Sequence, residues 1–385
     1  MECSIFGYAD VGSQTGRPLS YLSEYLHLEG LLHCVYPRGA SSNWQVPTKE
    51  PIPGGKLFPQ ILTAVDRYVV DFPNRAIGER VYDHFAASHL SADANDLHLH
   101  YIPGHINTLD IGRQQGASIV VRGSTELVER CDERLRTEAD RWGTTVKHGR
   151  FHEQRVERRK RTLKQADHII AISEFVKKSY AEIGIDSDDV TVAPLGVDVD
   201  NYPTSSDQSS NDTFSAVYVG SVNLLKGVPY LLQAWEHLGW NDATLTLCGD
   251  VSDTIHHLVN SAPDTVETPG FVDPRDYLPD ADVFVFPSLS DGFAKAPLEA
   301  MATGTPVVVT SNTGIIDIMT DGEEGFIVPP GNTDALADKV AYLRNNPEEQ
   351  KRMGRLALKT AAAYPWKRHC RQVKDVLTKV SEDSA

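Results

Sequence analysis

One segment narrows the fold more than any other. Between Ala281 and Thr310 an apolar run, Ala281-Asp-Val-Phe-Val-Phe-Pro287, gives way to a polar loop, a short helical stretch and a second apolar run, Val307–Thr310. The second run is continuous and β-branched, the pattern of a parallel strand buried on both faces. Pro297 suits the first helical position, where its missing N–H costs nothing, which predicts Glu299 in the first turn near the positive end of the helix dipole. Gly304 fits the left-handed residue past the helix end, and Thr305-Pro306 releases the chain into the strand. A strand–loop–helix–strand unit of this kind puts Ser288–Lys295 at the carboxyl end of a sheet, where open α/β folds bind ligands.

Two carboxylates, Asp291 and Glu299, flank the start of that helix. Free N–H groups there suit a diphosphate or sugar oxygens. Asp291 can accept from sugar hydroxyls and Glu299 from a ribose. The competing reading is purely local: Glu299 satisfies its own helix start and Asp291 ends a strand. On these two residues alone both readings stand.

The same unit recurs from the start of the chain. Cys3–Tyr8 reads as a strand, Leu19, Leu22, Tyr25, Leu26 and Leu28 mark an amphipathic helix ended by Gly30, and Leu31–Tyr36 is the next strand. The intervening loop contains Gly12, Ser13 and Gly16, which let backbone approach a ligand, although ordinary turn chemistry explains the same residues. Residues 40–60 are rich in Pro, Gly, Ser and Lys and read as a mobile loop. Ala117–Val121 is a strand ending at Arg122, placed either to meet an anionic ligand or to make a surface ion pair. His168–Ile172 is a strand followed by a helix that Ser173 suits as N-cap. Residues 201–213, NYPTSSDQSSNDT, are polar and read as a linker. It divides a first domain, residues 1–200, from a second, 214–365, with a final helix over 366–385. The second domain restarts the pattern: strand Ser215–Val219, a turn at Gly220-Ser221 leading to Lys226-Gly227, helix Pro229–Leu238, and further strand-end turns at Gly249 and at Gly270-Phe271-Val272. The expected architecture is α/β, two doubly wound sheets facing across a cleft that holds the ligand.

Composition narrows the function. A chain of 385 residues is long for one core and suits about two domains. A net charge of −16 argues against a general nucleic-acid binder, which needs a basic surface. Against this background the segment 150–164, with Arg150, Arg155, Arg158, Arg159, Lys160, Arg161 and Lys164, stands out. It is a candidate for peripheral contact with anionic membrane headgroups or for a phosphorylated acceptor, with a solvated, ion-paired face as the alternative. The five cysteines are odd in number and lack paired metal spacing, which favours a reducing, cytoplasmic setting. His148 and His152 are spaced i,i+4, but no further ligand accompanies them. Neither a signal-peptide pattern nor a run of about 18 apolar residues is present, so a soluble or peripheral protein is expected, at most at the inner membrane face.

The ordered set AISEFVKKSYAEIGI, VAPLGVDVDNY, VYVGSVNLLKGVPYLLQAW, LCGD, DGFAKAPLEAMATGTPVVVT and DGEEGFIVPPGN resembles glycosyltransferase family 4, enzymes of the GT-B fold. The resemblance implies a retaining, metal-independent transfer of a sugar from a nucleotide diphosphate donor, UDP- or GDP-linked, to a hydroxyl on a glycan or lipid-linked acceptor. It implies no cofactor beyond that co-substrate, and no pair of aspartates is suited to a metal. The family's diphosphate lysine falls on Lys226 and its two-acid motif on Asp291, near the transferred sugar, and Glu299, on the ribose. The donor-contacting backbone falls on Gly220, Ser221, Gly249 and Gly292 through Phe293, Ala294 and Lys295, and the base-contacting position on Val272. Gly12, Ser13 and Gly16 become the acceptor or phosphate loop, and the last helix is expected to return to the first domain. Two positions depart from the pattern: Asp291 replaces the usual glutamate, and Ser221 replaces an arginine that often follows the loop glycine. Arg122 is the candidate to restore that missing cation, which adds it to Lys226 and Asp291 as a catalytic residue. The rival readings are an epimerase of the same fold and a weakened nucleotide-binding subunit.

Overall fold

The computed structural model describes residues 2–12, 17–52, 61, 74–90, 97–146, 150–204 and 213–383. In the first half, strands β1 (Cys3–Val11), β2 (Leu32–Ala40), β3 (Leu97–His100), β4 (Ser118–Gly123), β5 (His168–Ala171) and β6 (Val190–Val192) alternate with helices α1 (Arg17–Leu28), α2 (Asn74–Leu90), α3 (Ile106–Gln114), α4 (Val128–Arg141), α5 (Arg150–Lys164) and α6 (Glu174–Tyr180). In the second, β7 (Phe214–Val219), β8 (Ala243–Cys248), β9 (Val266–Gly270), β10 (Val283–Phe286), β11 (Val307–Thr310) and β12 (Gly325–Val328) alternate with α7 (Val228–Leu238), α8 (His256–Asn260), α9 (Lys295–Ala302), α10 (Thr333–Asn345), α11 (Pro347–Ala362) and α12 (Trp366–Asp383).

The strands form two six-stranded sheets, ordered β2-β1-β3-β4-β5-β6 and β12-β11-β10-β7-β8-β9. Every strand pairing is parallel. Parallel strands need crossover connections, and the helices that supply them cover both faces, which is why Val283–Phe286 and Val307–Thr310 are buried throughout. Each sheet reverses its winding at one place, between β1 and β3 in the first and between β7 and β10 in the second. Crevices open above such reversals at the carboxyl ends of the strands.

Several boundaries differ from the sequence reading. β1 and β2 run on to Val11 and Ala40, where Asp10 pairs with Gly39 and Arg38 forms an ion pair with the Asp10 carboxylate. Polar residues extend these strands because cross-strand pairing continues past the apolar core. β4 runs through Arg122 to Gly123. Residues 41–52 are described, while 53–60 of the expected mobile loop and 205–212 of the expected linker lie outside the described residues, as do Ser13, Gly16 and His148.

The last helix crosses back. Cys370, Val373, Val376, Leu377 and Val380 of α12 join one core with Leu19, Leu22 and Leu26 of α1 and with Leu97, Leu99 and Val120 of the first sheet. The crossing begins at Trp366, whose ring stacks on Tyr21 at 5.1 Å. A Cβ on Gly196 would meet the Trp366 backbone at 2.5 Å, so two chain crossings touch there because one residue has no side chain. None of the described helices is long and apolar enough to cross a membrane.

Candidate active site

The second-sheet reversal carries the two loops of interest. The loop after β7 leads through Lys226 to Gly227, and the loop after β10 leads through Asp291 to α9. Gly227 has φ 67°, and a Cβ there would meet the Pro287 carbonyl oxygen at 2.0 Å, so the two loops pack backbone to backbone. Asn223 Oδ1 accepts from the Lys226 N–H at 2.9 Å and fixes the turn. The Lys226 ammonium then donates to Asp291 Oδ2, with the ring of Phe286 at 5.6 Å from Nζ. This ion pair is only partly exposed, with 23% of the lysine and 19% of the aspartate side chain accessible.

Asp291 is held from all sides. Its N–H donates to the Asn312 carbonyl at 3.0 Å and its carbonyl accepts from Gly314 N–H at 3.1 Å. Its Oδ1 accepts from the N–H groups of Phe293 at 3.1 Å and Ala294 at 2.7 Å. Two of the three donors that the resemblance assigned to the sugar and phosphate, Phe293 and Ala294, are therefore occupied by Asp291 itself, and Lys295 heads the helix as an exposed residue. Ala294, at φ 61°, carries the chain into α9, which begins at Lys295. This corrects the expected helix start: Pro297 is the third residue and Glu299 lies beyond the first turn, because the Asp291 carboxylate folds the loop over Phe293 and Ala294, and Ala294 at positive φ is the N-cap from which the helix starts early. Glu299 lines a small hollow with Lys295, Leu298, Arg17, Tyr202 and Trp366.

The turns after β7 and β8 meet in the same crevice. Gly220 and Gly249 have φ of 147° and 158°, and a Cβ on Gly249 would lie 1.9 Å from the Gly220 carbonyl oxygen. The Ser221 carbonyl accepts from the Tyr218 hydroxyl at 2.8 Å. Burial, with the Asp291 charge adding to it, holds the Tyr218 phenol well above its ordinary range, so it stays a donor. Val272 is half-buried and follows Phe271, which is 85% exposed.

The first domain touches this loop directly. A Cβ on Gly292 would come within 2.1 Å of the Ser124 carbonyl oxygen, and Gly292 carbonyl accepts from the Ser173 hydroxyl. Asp317 accepts from the Glu174 N–H at 2.6 Å, and Glu138 accepts from the Tyr230 hydroxyl at 2.6 Å. Sequence reasoning gave Ser173 as the N-cap of α6, which it is, accepting from Val176 N–H at 3.1 Å. Its second contact, across the cleft, left no sequence signal, nor did Asn223 or the Tyr230–Glu138 contact.

Arg122 is buried, at 5% exposure. Its guanidinium lies 4.4 Å from the centre of the Tyr101 ring, and its Nε has no hydrogen-bond partner. The ion pair weighed as the alternative does not form: Glu126 pairs with Arg134 and Glu129 with Lys160. No hydrogen bond joins Arg122 to Lys226, Asp291 or Glu299 in the described structure. Gly12, at φ 70°, donates to Ser20 Oγ at 2.9 Å.

The basic segment forms α5, and four of its cations face carboxylates. Arg155 pairs with Glu79 at 2.8 Å, Arg158 with Asp83 at 2.5 Å, Arg161 with Asp110 at 2.9 Å and Lys160 with Glu129 at 3.7 Å. The ion-paired face is the reading that the geometry favours over membrane contact. His152 pairs with Asp132 at 2.6 Å.

Comparisons with known proteins match segments in both halves of the chain. The model described as Glycosyl transferases group 1 matches residues 213–346, and that described as Glycosyltransferase Family 4 matches residues 134–201. A D-inositol 3-phosphate glycosyltransferase of Paenarthrobacter aurescens (strain TC1) is 31% identical over 205 residues, covering 48% of this chain and 50% of the relative. The capsular polysaccharide biosynthesis glycosyltransferase CapM of Staphylococcus aureus is 31% identical over 152 residues, covering 37% and 40%. The chain thus spans about half the length of the curated relatives it matches. Among solved structures, the sucrose-phosphate synthase of Thermosynechococcus elongatus superposes with a TM-score of 0.72 at 18% identity, covering 99% of both chains. HepE of Anabaena, solved with UDP-glucose, gives 0.69 at 16% identity, covering 98% of this chain and all of that one. The structural likenesses carry the GT-B fold and the matched segments carry the family: the chain belongs to the family 4 glycosyltransferases.

Proposed function

We propose that the protein is a retaining glycosyltransferase that moves a sugar from a nucleotide diphosphate donor to a hydroxyl of a glycan or lipid-linked acceptor. The observation that carries the reading is the Lys226–Asp291 ion pair at the reversal of the second sheet, facing first-domain residues across a closed cleft. The fold neighbour solved with UDP-glucose supports a nucleotide-sugar donor.

In this reading the donor's diphosphate lies above Lys226 and the N-terminus of α7, with its ribose at Glu299 and its base near Val272. As the bond between the anomeric carbon and the β-phosphate oxygen breaks, its electron pair stays on that oxygen. Negative charge grows where the Lys226 ammonium and the helix dipole already point, and such preorganised charges are worth most in a water-poor site. The acceptor oxygen attacks the same face of the carbon, and its proton passes to the leaving phosphate, so no side-chain base or metal is required. Asp291 holds the lysine in place beforehand and presents its carboxylate to the transferred sugar. Arg122 supplies a second cation from the first domain.

Incubating the protein with a panel of UDP- and GDP-sugars tests the reading. Release of nucleoside diphosphate with formation of a glycoside that keeps the donor's anomeric configuration is the expected result. An isomerised nucleotide sugar without release contradicts it.

A further inference from the structure

Apart from the Glu299 hollow, a cavity of about 690 Å³ opens between the two domains. One wall is a stripe of α4: Arg130, Glu133, Arg134, Thr137, Glu138 and Arg141 recur at helical spacing and so share one face. The facing wall belongs to the second domain, with Tyr230 in the first turn of α7, Leu289 after β10 and Pro330 after β12. Val272, the proposed base position, follows β9 at the opposite edge of that sheet. The loop that carries Asp291 borders both hollows, since Leu289 lines this one while Lys295, Leu298 and Glu299 line the other. Beside Leu289, Ser290 Oγ lies 3.4 Å from Cys131 Sγ of α4, so the first-domain wall reaches the residue before Asp291.

The charges of the lining cancel: Arg130, Arg134 and Arg141 stand with Glu133, Glu138 and Glu182. Arg130 donates to Glu182 at 2.7 Å, and Arg134 to Glu126 at 3.3 Å. Glu138, 7% exposed, accepts at Oε2 from the Tyr230 hydroxyl at 2.6 Å and from Trp142 Nε1 at 3.0 Å, and its Oε1 accepts from no described residue. Arg141 lies over the Tyr230 ring at 5.7 Å, and neither it nor the exposed Glu133 forms an ion pair with a described residue. A donor fork and two carboxylate acceptors are therefore available beside the apolar Leu289 and Pro330. An anion could use the fork alone and would meet the carboxylates. Neighbouring sugar hydroxyls both donate and accept, and the C–H face of the ring suits the apolar pair. The volume falls within the range of sites that enclose small ligands, about 300–1,000 Å³, and admits more than one sugar ring.

We propose that this cavity is the acceptor groove and that it takes a neutral oligosaccharide, laid along α4 with its terminal hydroxyl reaching past Leu289 to the Lys226–Asp291 pair. Glu133, Glu138 and Arg141 hold the sugar units behind that terminus. That the bound glycan is the acceptor rests on the transferase reading above.

Calorimetric titration of the full-length protein with maltotriose, cellotriose, chitotriose and mannotriose, with their monosaccharides, and with trigalacturonate as the charged arm, each with and without UDP, tests the groove. Saturable binding of at least one neutral trisaccharide is expected, much tighter than that of its monosaccharide and persisting with UDP present. The double variant Glu133→Gln with Arg141→Met is expected to lose about tenfold in that affinity or more, the scale of hydrogen bonds to charged groups. Its melting temperature should stay level, because both side chains are exposed and without ion pairs to described residues. Glu138→Gln, which keeps an oxygen for Tyr230, should weaken binding several-fold. Absence of saturable binding by every neutral trisaccharide, preference for trigalacturonate, displacement by UDP, or unchanged affinity in the double variant overturns the proposal. These titrations consume no donor, so they are readable even if the donor panel fails, and their failure leaves the donor panel intact.

Discussion

Among single residues, Arg122 separates the two ways of neutralising a leaving diphosphate. With Ser221 in the loop after β7, Lys226 would face about two negative charges alone, in a crevice where an uncompensated charge is expensive. Arg122 is buried without a carboxylate, its Nε unpartnered and its guanidinium laid on Tyr101. Arg122→Lys is expected to lower kcat roughly tenfold or more, since the charge stays but the planar fork goes. Ser221→Arg should then recover part of the activity lost in Arg122→Ala. Donor turnover in the single and double variants decides the matter; unchanged turnover in Arg122→Ala removes this residue from the reaction. The lone polar roles were legible in the sequence only where type and spacing coincide. Lys226 and Asp291 follow from a recurring motif, whereas Asn223 and the cross-cleft bond of Ser173 depend on contacts between distant segments, which no local pattern encodes.

At the scale of elements, the alternation of apolar strands and helices could be read directly, and the return of the last helix followed from the family resemblance. β10 and β11 are continuous apolar runs, and α12 shows one apolar stripe that meets α1. Pro297 is the opening signal that the sequence offers for α9, while Ala294 at positive φ, in a loop that Asp291 folds, opens the helix two residues earlier. The basic run in α5 was ambiguous for a similar reason: its partners Glu79, Asp83 and Asp110 come from helices far away in sequence. The loop between β10 and α9 also limits closure. A methyl group on Gly292 would stand 2.1 Å from the Ser124 carbonyl oxygen, and backbone on both sides leaves little room to yield. Gly292→Ala is expected to destabilise the closed form by about 1–3 kcal/mol, the usual scale of overpacking. Solution scattering should show a more open molecule, with a fall in kcat. A variant as compact and active as the parent would show that the two loops need not meet.

For the whole molecule, the first domain and the final helix packed on it hold histidines that burial keeps neutral. Burial pushes His98 down to about 4, and burial together with the nearby Arg122 charge pushes His369 down to about 3, from an ordinary value of 6.5. In the unfolded chain both would take up protons below about 6.5, while the folded chain refuses them until far lower pH. The unfolded state therefore binds more protons in this window, and stability falls as pH drops. Between pH 6.5 and 5 each histidine is expected to cost about 2 kcal/mol, at 1.36 kcal/mol per pH unit. Urea midpoints measured at pH 7 and pH 5 check this, and His98→Leu should flatten the slope; an identical slope would mean that His98 is not the group responsible. In the proposed reaction the pair at the second-sheet reversal acts only when both domains enclose it. Released nucleoside diphosphate from the best donor of the panel, compared between the parent and Lys226→Ala at saturating donor, tests that claim most directly. A loss in kcat of roughly 10²–10³, with nucleoside affinity changed far less, is the expected outcome, the scale of removing one preorganised electrostatic donor. Turnover close to that of the parent would contradict the assignment of this ion pair as the centre of transfer.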